Sequence, residues 1–388
     1  MKNLSDRSSH FTDSVIRRMT RISIEHGSIN LSQGYPDFNP PQEILTRLKE
    51  VADEDYHQYS ITCGAANTRK ALSDKMLHFS GVYYDPSSEV TVTCGSTEAM
   101  MASMMSVTDP GDKVVIFSPF YENYGADTIL CGATPIYVPL VPPTFTFDAN
   151  VLEEAFKQGP KALILCNPSN PCGKVFSKEE LETIAFLAKK YDVYVITDEV
   201  YEHIIYAPHK HTYLSSLPGM RERTICCSSL SKTYSITGWR LGYTMAPVEI
   251  SDHIRKVHDF LTVGAAAPLQ ETIITALRFP DSYYEVLQNE YTRKKNLFLS
   301  GLDNLGLKHN DPEGAYYVLM DISEFGYDND SDFAYDMSKK VGVAAVPGSS
   351  FFREDENRYV RFHFAKKDET LRAALERLST LKTKAAMR

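Results

Sequence analysis

Between about residues 66 and 250 the chain alternates short apolar runs with helical segments, and this alternation constrains the fold more than any other feature. Candidate strands are VTVT from residue 90, KVVIF from 113, PIYVPL from 135, KALILC from 161, DVYVIT from 192, TICCS from 224 and LGYTM from 241. They are nearly continuous in apolar character rather than alternating, which fits strands covered on both faces in a largely parallel sheet. The segments between them supply crossover helices. In SKEELETIAFLAKK, Ser177 and Glu180 make a capping-box pattern, and Leu181, Ile184, Ala185, Leu187 and Ala188 fall on one helical face. The predicted class is α/β: a mostly parallel seven-stranded sheet sandwiched by helices.

After this region the pattern changes. Residues 281 to 305 read as one long helix, followed by strands in GAYYVLMDI, VGVAAV and RYVRFHF and a closing helix over 367–381. That is α+β in style. The expected division is an N-terminal segment, 1–44, packing on a small domain and the active site; a large domain, 45–280; and a small C-terminal domain, 281–388.

Charge narrows the function classes. With 41 Lys and Arg against 50 Asp and Glu, the net charge is −9, so no broad basic surface favours nucleic acid or anionic membrane. The seven cysteines are odd in number, scattered and without a C-x-x-C pair, which points to a reducing compartment and gives structural zinc no support. The start MKNLSDRSSHFTDS has no apolar core of signal-peptide length, and nowhere do 18 apolar residues run together. A cytoplasmic protein with a small-molecule ligand and no metal is expected.

In a doubly wound sheet, ligands bind outside the carboxyl ends of the strands. The chemically suggestive residues gather there. After VTVT, Gly95, Ser96 and Thr97 open a helix whose free amides and positive dipole end suit a phosphate, although an ordinary helix cap reads the same way. After KALILC, NPSNPCGKVF makes a stiff turn carrying Asn167 and Asn170; after DVYVIT comes Asp198, with Tyr201 three residues on. After TICCS comes SLSKTYSITGWRLGY, with Lys232 among small hydroxyl residues and Arg240 eight residues later.

CGSTEAM, NPSNPCGKVF, ITDEVYEH, SLSKTYSITGWRLGY and RYVRFHF, in this order and spacing, resemble the class I/II, fold-type-I aminotransferases that use pyridoxal 5'-phosphate (PLP). The resemblance covers nearly the whole chain. It makes Lys232 the lysine that holds PLP as a Schiff base and later moves the α-proton of the substrate. It pairs Asp198 with the pyridinium nitrogen, Tyr201 and Asn170 with the ring oxygen, and Tyr121 of SPFYENY with the ring face. The phosphate falls to Gly95, Ser96, Thr97, Ser229, Ser231 and Arg240, whose planar fork suits a dianion. Arg361 in RYVRFHF matches the clamp on the substrate α-carboxylate. Gly34 and Tyr35 of LSQGYPDF match the segment that closes over substrate, and Tyr59 matches a tyrosine given to the neighbouring subunit's phosphate, which implies a homodimer with shared active sites. One departure is Cys172, where the family usually has Thr; a small packing replacement is the expected role.

The implied activity is transfer of the α-amino group of an L-amino acid to a 2-oxo acid such as 2-oxoglutarate, in two stages. The apolar stretch LTVGAAAPLQ, 261–270, favours a neutral or aromatic donor side chain. Two alternatives stay open on sequence: a PLP-dependent lyase, oxidase or cyclase on the same scaffold, or a non-catalytic PLP-binding regulator. The regulator is disfavoured by the acidic net charge and by the roughly 30 residues that precede LSQGYPDF, since such regulators append a DNA-binding domain.

Overall fold

The computed structural model describes residues 4–382. Near the N-terminus, α1 (Val15–His26) is capped by Ser14 and leads into the short strand β1 (Ile29–Asn30). Two helices follow, α2 (Gln42–Val51) and α3 (Ala66–Ser80). Strands and helices then alternate: β2 (Val90–Thr93), α4 (Ser96–Val107), β3 (Lys113–Ser118), α5 (Asn123–Leu130), β4 (Thr134–Pro139), α6 (Ala149–Lys157), β5 (Ala162–Cys166), α7 (Lys178–Lys190) and β6 (Tyr194–Asp198). β7 (Thr224–Ser229) and β8 (Gly242–Met245) complete the sheet before α8 (Val248–Thr262), α9 (Ala267–Leu277) and the long α10 (Asp281–Asn304). The chain ends with β9 (Tyr317–Asp321), α11 (Asp330–Asp336), β10 (Val343–Ala344), β11 (Val346–Pro347), β12 (Tyr359–His363) and α12 (Asp368–Leu378).

The seven strands β2 to β8 form one sheet in the order β2-β8-β7-β6-β5-β3-β4. All neighbours are parallel except β8, which runs antiparallel to both β7 and β2. The reason is local: the chain returns from β7 to β8 through a short turn-rich segment without a crossover helix, and a parallel pair would need one. Chain order reverses beside β3, with β4 on one side and β5 on the other, which opens a crevice at the carboxyl ends. The expected helix after Ser177 forms with both halves of its capping box, and buries Leu181, Ile184, Ala185, Leu187 and Ala188.

A second, antiparallel sheet has the order β11-β12-β9, and β1 pairs in parallel with β10. Met19 and Leu31 share one apolar core with Phe298 of α10, Val318 of β9, Phe362 of β12 and Leu371 of α12, so the N-terminal segment packs with the C-terminal elements. Tyr201, just beyond β6, joins that same core, which brings the end of the main sheet against the second one. Among the described residues no helix is long and apolar enough to cross a membrane.

Candidate active site

A cavity of about 880 Å³ opens at the carboxyl ends of β5, β6 and β7 and is shared with the N-terminal segment and β12. Of the residues singled out in the sequence, Gly34, Tyr35, Ser96, Thr97, Tyr121, Asn170, Asp198, Tyr201, Ser229, Ser231, Lys232, Arg240 and Arg361 line it. Tyr59 does not; it stands 88 % exposed on the surface.

One end of the cavity is built for an oxyanion. Ser96 and Thr97 are the first two residues of α4, and no acceptor among the described residues takes their amides. Gly95 contributes room rather than a donor, because its own amide is given to Thr93 O (2.8 Å). Its φ of +84° suits glycine, and a Cβ there would lie 2.3 Å from Arg240 Nη2. A Cβ on Gly242 would sit 2.4 Å from the Gly95 carbonyl carbon, so two glycines let β8 and the start of α4 close up around the guanidinium. Ser229 Oγ donates to Leu241 O (3.1 Å) and lies 2.6 Å from Ser231 Oγ, whose hydroxyl can donate to it, which holds both hydroxyls beside this end. Glu98 fixes the turn from behind: it accepts from Cys94 N (2.5 Å), His258 Nδ1 (2.6 Å) and Thr262 Oγ1 (2.7 Å).

At the centre, Lys232 Nζ donates to Gly34 O (3.2 Å). Burial pulls its pKa down to about 8, the positive charges of Arg240 and Arg361 act in the same direction, and Asp198 opposes them. Asp198 is buried at the end of β6, and burial raises its pKa, partly offset by hydrogen bonds from Tyr124 Oη (2.7 Å) and Val200 N (3.3 Å). Tyr201 Oη and Tyr317 Oη are 2.7 Å apart, and Lys232 Nζ lies 5.9 Å from the Tyr201 ring centre and 5.8 Å from that of Tyr316.

Arg361 forms the opposite wall. It is fully buried, sandwiched with its guanidinium carbon 4.3 Å from the Tyr317 ring centre and 4.6 Å from that of Phe351. Nη1 donates to Asn170 Oδ1 (2.6 Å) and Nη2 to Ser32 O (2.8 Å), while Nε has no partner among the described residues. Two of five N–H bonds are spent on orientation, and the rest are left for a carboxylate. Asn170 therefore aligns Arg361 as well as facing the cavity. Cys172 is buried, its Sγ 3.5 Å from Ser169 Oγ and its thiol pKa pushed up by burial, in keeping with packing rather than reactivity.

Several lining residues were not read from the sequence. Tyr124 stands three residues after Tyr121 and buttresses Asp198; that helical spacing was the available signal. Tyr317 lines the cavity as well, and Tyr316, outside its lining, donates from Oη to Gly34 O (2.9 Å). Asp127 also lines the cavity, buried with Oδ2 unpartnered, its pKa raised to about 7 by burial and by Asp198. Of the stretch 261–270, Leu261 and Thr262 line the cavity.

Beneath the site lies a second set of buried charges. Lys75 of α3 meets Glu202 Oε1 at 2.6 Å, both side chains less than 5 % exposed. Glu202 also accepts from Tyr243 Oη (3.3 Å), Ser228 Oγ (3.4 Å) and Tyr213 Oη. Burial works against its charged form, but Lys75 outweighs that and holds its pKa down to about 2.

The profile of the family described as aminotransferase class I and II matches residues 27–378. The chain is 35% identical over 383 residues to a protein of Mycobacterium tuberculosis named probable N-succinyldiaminopimelate aminotransferase, with 96% of each covered. It is 34% identical to the methionine aminotransferase of Escherichia coli (95% of each covered) and 35% to kynurenine–oxoglutarate transaminase 3 of Mus musculus (92% of this chain, 85% of that one). The solved structure of the Mycobacterium tuberculosis N-succinyldiaminopimelate aminotransferase superposes with a TM-score of 0.94 at 35% identity, over 98% of this chain and all of that one. The chain belongs to the class I and II aminotransferase family and has its fold-type-I architecture. It is a PLP-dependent aminotransferase, moving an amino group between an amino acid and a 2-oxo acid. The residues present fit that cofactor: an oxyanion cradle that a Cβ on Gly95 or Gly242 would crowd, a buried lysine with a lowered pKa, and a buried carboxylate, Asp198, that no cation among the described residues hydrogen-bonds.

Proposed function

We propose that the enzyme takes the α-amino group of a neutral or aromatic L-amino acid and passes it to 2-oxoglutarate, with Lys232 as the residue that carries protons and holds the cofactor. The observation that carries this reading is the convergence of Lys232, Asp198 and Arg361 in one cavity. When bound, PLP supplies an electron sink that makes the α-proton of an amino acid removable. Ser96 and Thr97 amides, Ser229, Ser231 and Arg240 would hold its phosphate, Asp198 its ring nitrogen, Asn170 and Tyr201 its ring oxygen, and Tyr121 its face.

The chain's own groups do the rest. With its pKa near 8, Lys232 presents a usable fraction of free amine at neutral pH, which lets Nζ act as nucleophile and then take the α-proton. Asp198, held by Tyr124 and Val200, keeps a proton on the atom it faces by opposite charge. Arg361 fixes the α-carboxylate and so aims the α-carbon. The Gly34–Tyr35 segment closes the outer wall and excludes water. The kynurenine–oxoglutarate relative supports 2-oxoglutarate as acceptor, and the apolar side chains of Ile16 and Leu261 support a neutral donor.

The same reading keeps the division at 1–44, 45–280 and 281–388 and makes the working unit a homodimer in the cytoplasm. Tyr59, 88 % exposed, would reach the phosphate of the neighbouring subunit, and Phe260, 92 % exposed, would be covered in the assembly.

The test is spectroscopic. An amino donor should convert the absorbance of the lysine-bound cofactor to that of its amine form, and 2-oxoglutarate should restore it. Release of ammonia without restoration would favour a lyase or oxidase. Lys232→Ala should abolish both turnover and the starting absorbance; retained transamination would overturn the assignment.

A further inference from the structure

The cavity wall holds a phenol whose hydroxyl none of these roles uses. Tyr317, the first residue of β9, is buried and lines the cavity, with its ring against the Arg361 guanidinium. Its Oη lies 2.7 Å from Tyr201 Oη and packs so closely on Gly34 that a Cβ there would overlap it. Burial raises the pKa of both phenols, so both keep their hydrogens. Which of them donates follows from the surroundings. On the Gly34 side Tyr317 Oη meets the α-carbon, and the Gly34 carbonyl is taken by Lys232 Nζ and Tyr316 Oη. Tyr201 Oη, at hydrogen-bond distance, is the acceptor that remains for Tyr317. With Tyr317 as donor, Tyr201 keeps its own hydrogen for the cavity. The charged and titratable groups that face the pair are Arg361 and Cys166 beside Tyr317, and Tyr316 and Lys232 beside Tyr201.

We propose that Tyr317 is a positioning residue for the contact to the cofactor's ring oxygen: its hydroxyl donates to Tyr201 Oη and so commits the Tyr201 hydrogen to that oxygen. This rests on the reading of Tyr201 as a ligand of the ring oxygen. A hydroxyl that accepts one hydrogen bond gives a stronger one, by roughly 10–30 % per bond in a buried chain. A donor at the ring oxygen favours the form of the lysine-bound cofactor that carries more negative charge there, the form whose nitrogen on Lys232 has lost its proton. Tyr317 therefore lowers the pH at which that proton leaves. Because the same side chain also lies against Arg361, the grip on the substrate carboxylate and the contact to the ring oxygen share one support. Only the second needs the hydroxyl, so an exchange to Phe separates them.

The experiment titrates the absorbance of the lysine-bound cofactor with pH in the wild-type holoenzyme, Tyr317→Phe, Tyr201→Phe and the double variant. Each exchange removes one oxygen and leaves the ring in place. Tyr201→Phe should raise the midpoint by about one pH unit or more. Tyr317→Phe should raise it in the same direction by about a third as much. The double variant should match Tyr201→Phe, because without that phenol Tyr317 has nothing to pass on. A moved midpoint in Tyr201→Phe beside an unmoved one in Tyr317→Phe, or a further shift in the double variant, overturns the role of Tyr317. A raised KM for the amino donor with an unmoved midpoint overturns it too, since the ring against Arg361 would then be all that matters. If Tyr201→Phe itself leaves the midpoint where it was, the reading of Tyr201 at the ring oxygen fails, and the proposal with it.

Discussion

Replacing Lys75 by Met isolates the buried pair under the active site. Glu202 has a folded-state pKa of about 2 against an ordinary 4.5, so at neutral pH its ionised form is favoured by folding. Breaking a buried pair from one side typically costs about 3–5 kcal/mol, and a loss of that order is expected here. The sign follows from the depressed pKa: this stability is present above pH 4.5 and is lost as pH falls towards 2. In Lys75→Met, Glu202 is left with hydroxyl donors and burial alone, and its pKa rises. His203 Nε2, 3.8 Å from Glu202 Oε1, is kept neutral by burial and then by Lys75. With Lys75 gone, His203 becomes the available counter-ion, so the deficit should be larger at pH 8 than at pH 6. Urea unfolding followed by Trp239, the single tryptophan, reads the change. The double variant Lys75→Met/Glu202→Gln, which keeps an acceptor for Tyr213 and Tyr243 without the charge, should recover more than half of the loss. A single variant within about 1 kcal/mol of wild type, or a double variant no better than the single, would refute the reasoning.

Two further outcomes are expected beside that for Lys232. Tyr124→Phe removes the 2.7 Å hydrogen bond to Asp198 and should weaken retention of PLP about tenfold in equilibrium dialysis, whereas unchanged retention would remove Tyr124 from the site. Asp127 has a folded-state pKa raised from 3.8 to about 7, so folding disfavours its ionised form and its cost grows as pH rises through that interval. Asp127→Asn should therefore raise stability at pH 8 by about 2–4 kcal/mol and by less than half as much at pH 5; a gain that is flat with pH would show that ionisation is not the cause.

The sheet was legible because strands buried on both faces leave continuous apolar runs, and because four of these runs lead into chemically suggestive residues, such as Asp198 or Lys232. The capping box at Ser177 was legible because both of its bonds are local. The antiparallel course of LGYTM was not, since direction depends on the path of the chain between strands rather than on the residues within them. Tyr124 and Tyr316 escaped for a related reason. Each sits in an ordinary helical or strand context and gains its meaning from a partner far along the chain, Gly34 for Tyr316 and Asp198 for Tyr124. The phosphate end was read as three amide donors, whereas Gly95 turns its amide back on Thr93 and serves as space. Short motifs convey residue type; they do not convey which hydrogen of a turn points inward.

The carbonyl of Gly34 accepts from both Lys232 and Tyr316. A carbonyl oxygen has two lone pairs, so these fastenings do not compete. In the role proposed for Lys232, its bond would be surrendered whenever Nζ is engaged elsewhere, while Tyr316 would keep its own. The Gly34 segment would then be tied by one knot that slips at each turnover and one that holds. Its resting position would be remembered by the scaffold, so the lysine could leave and return without having to rebuild the wall it left.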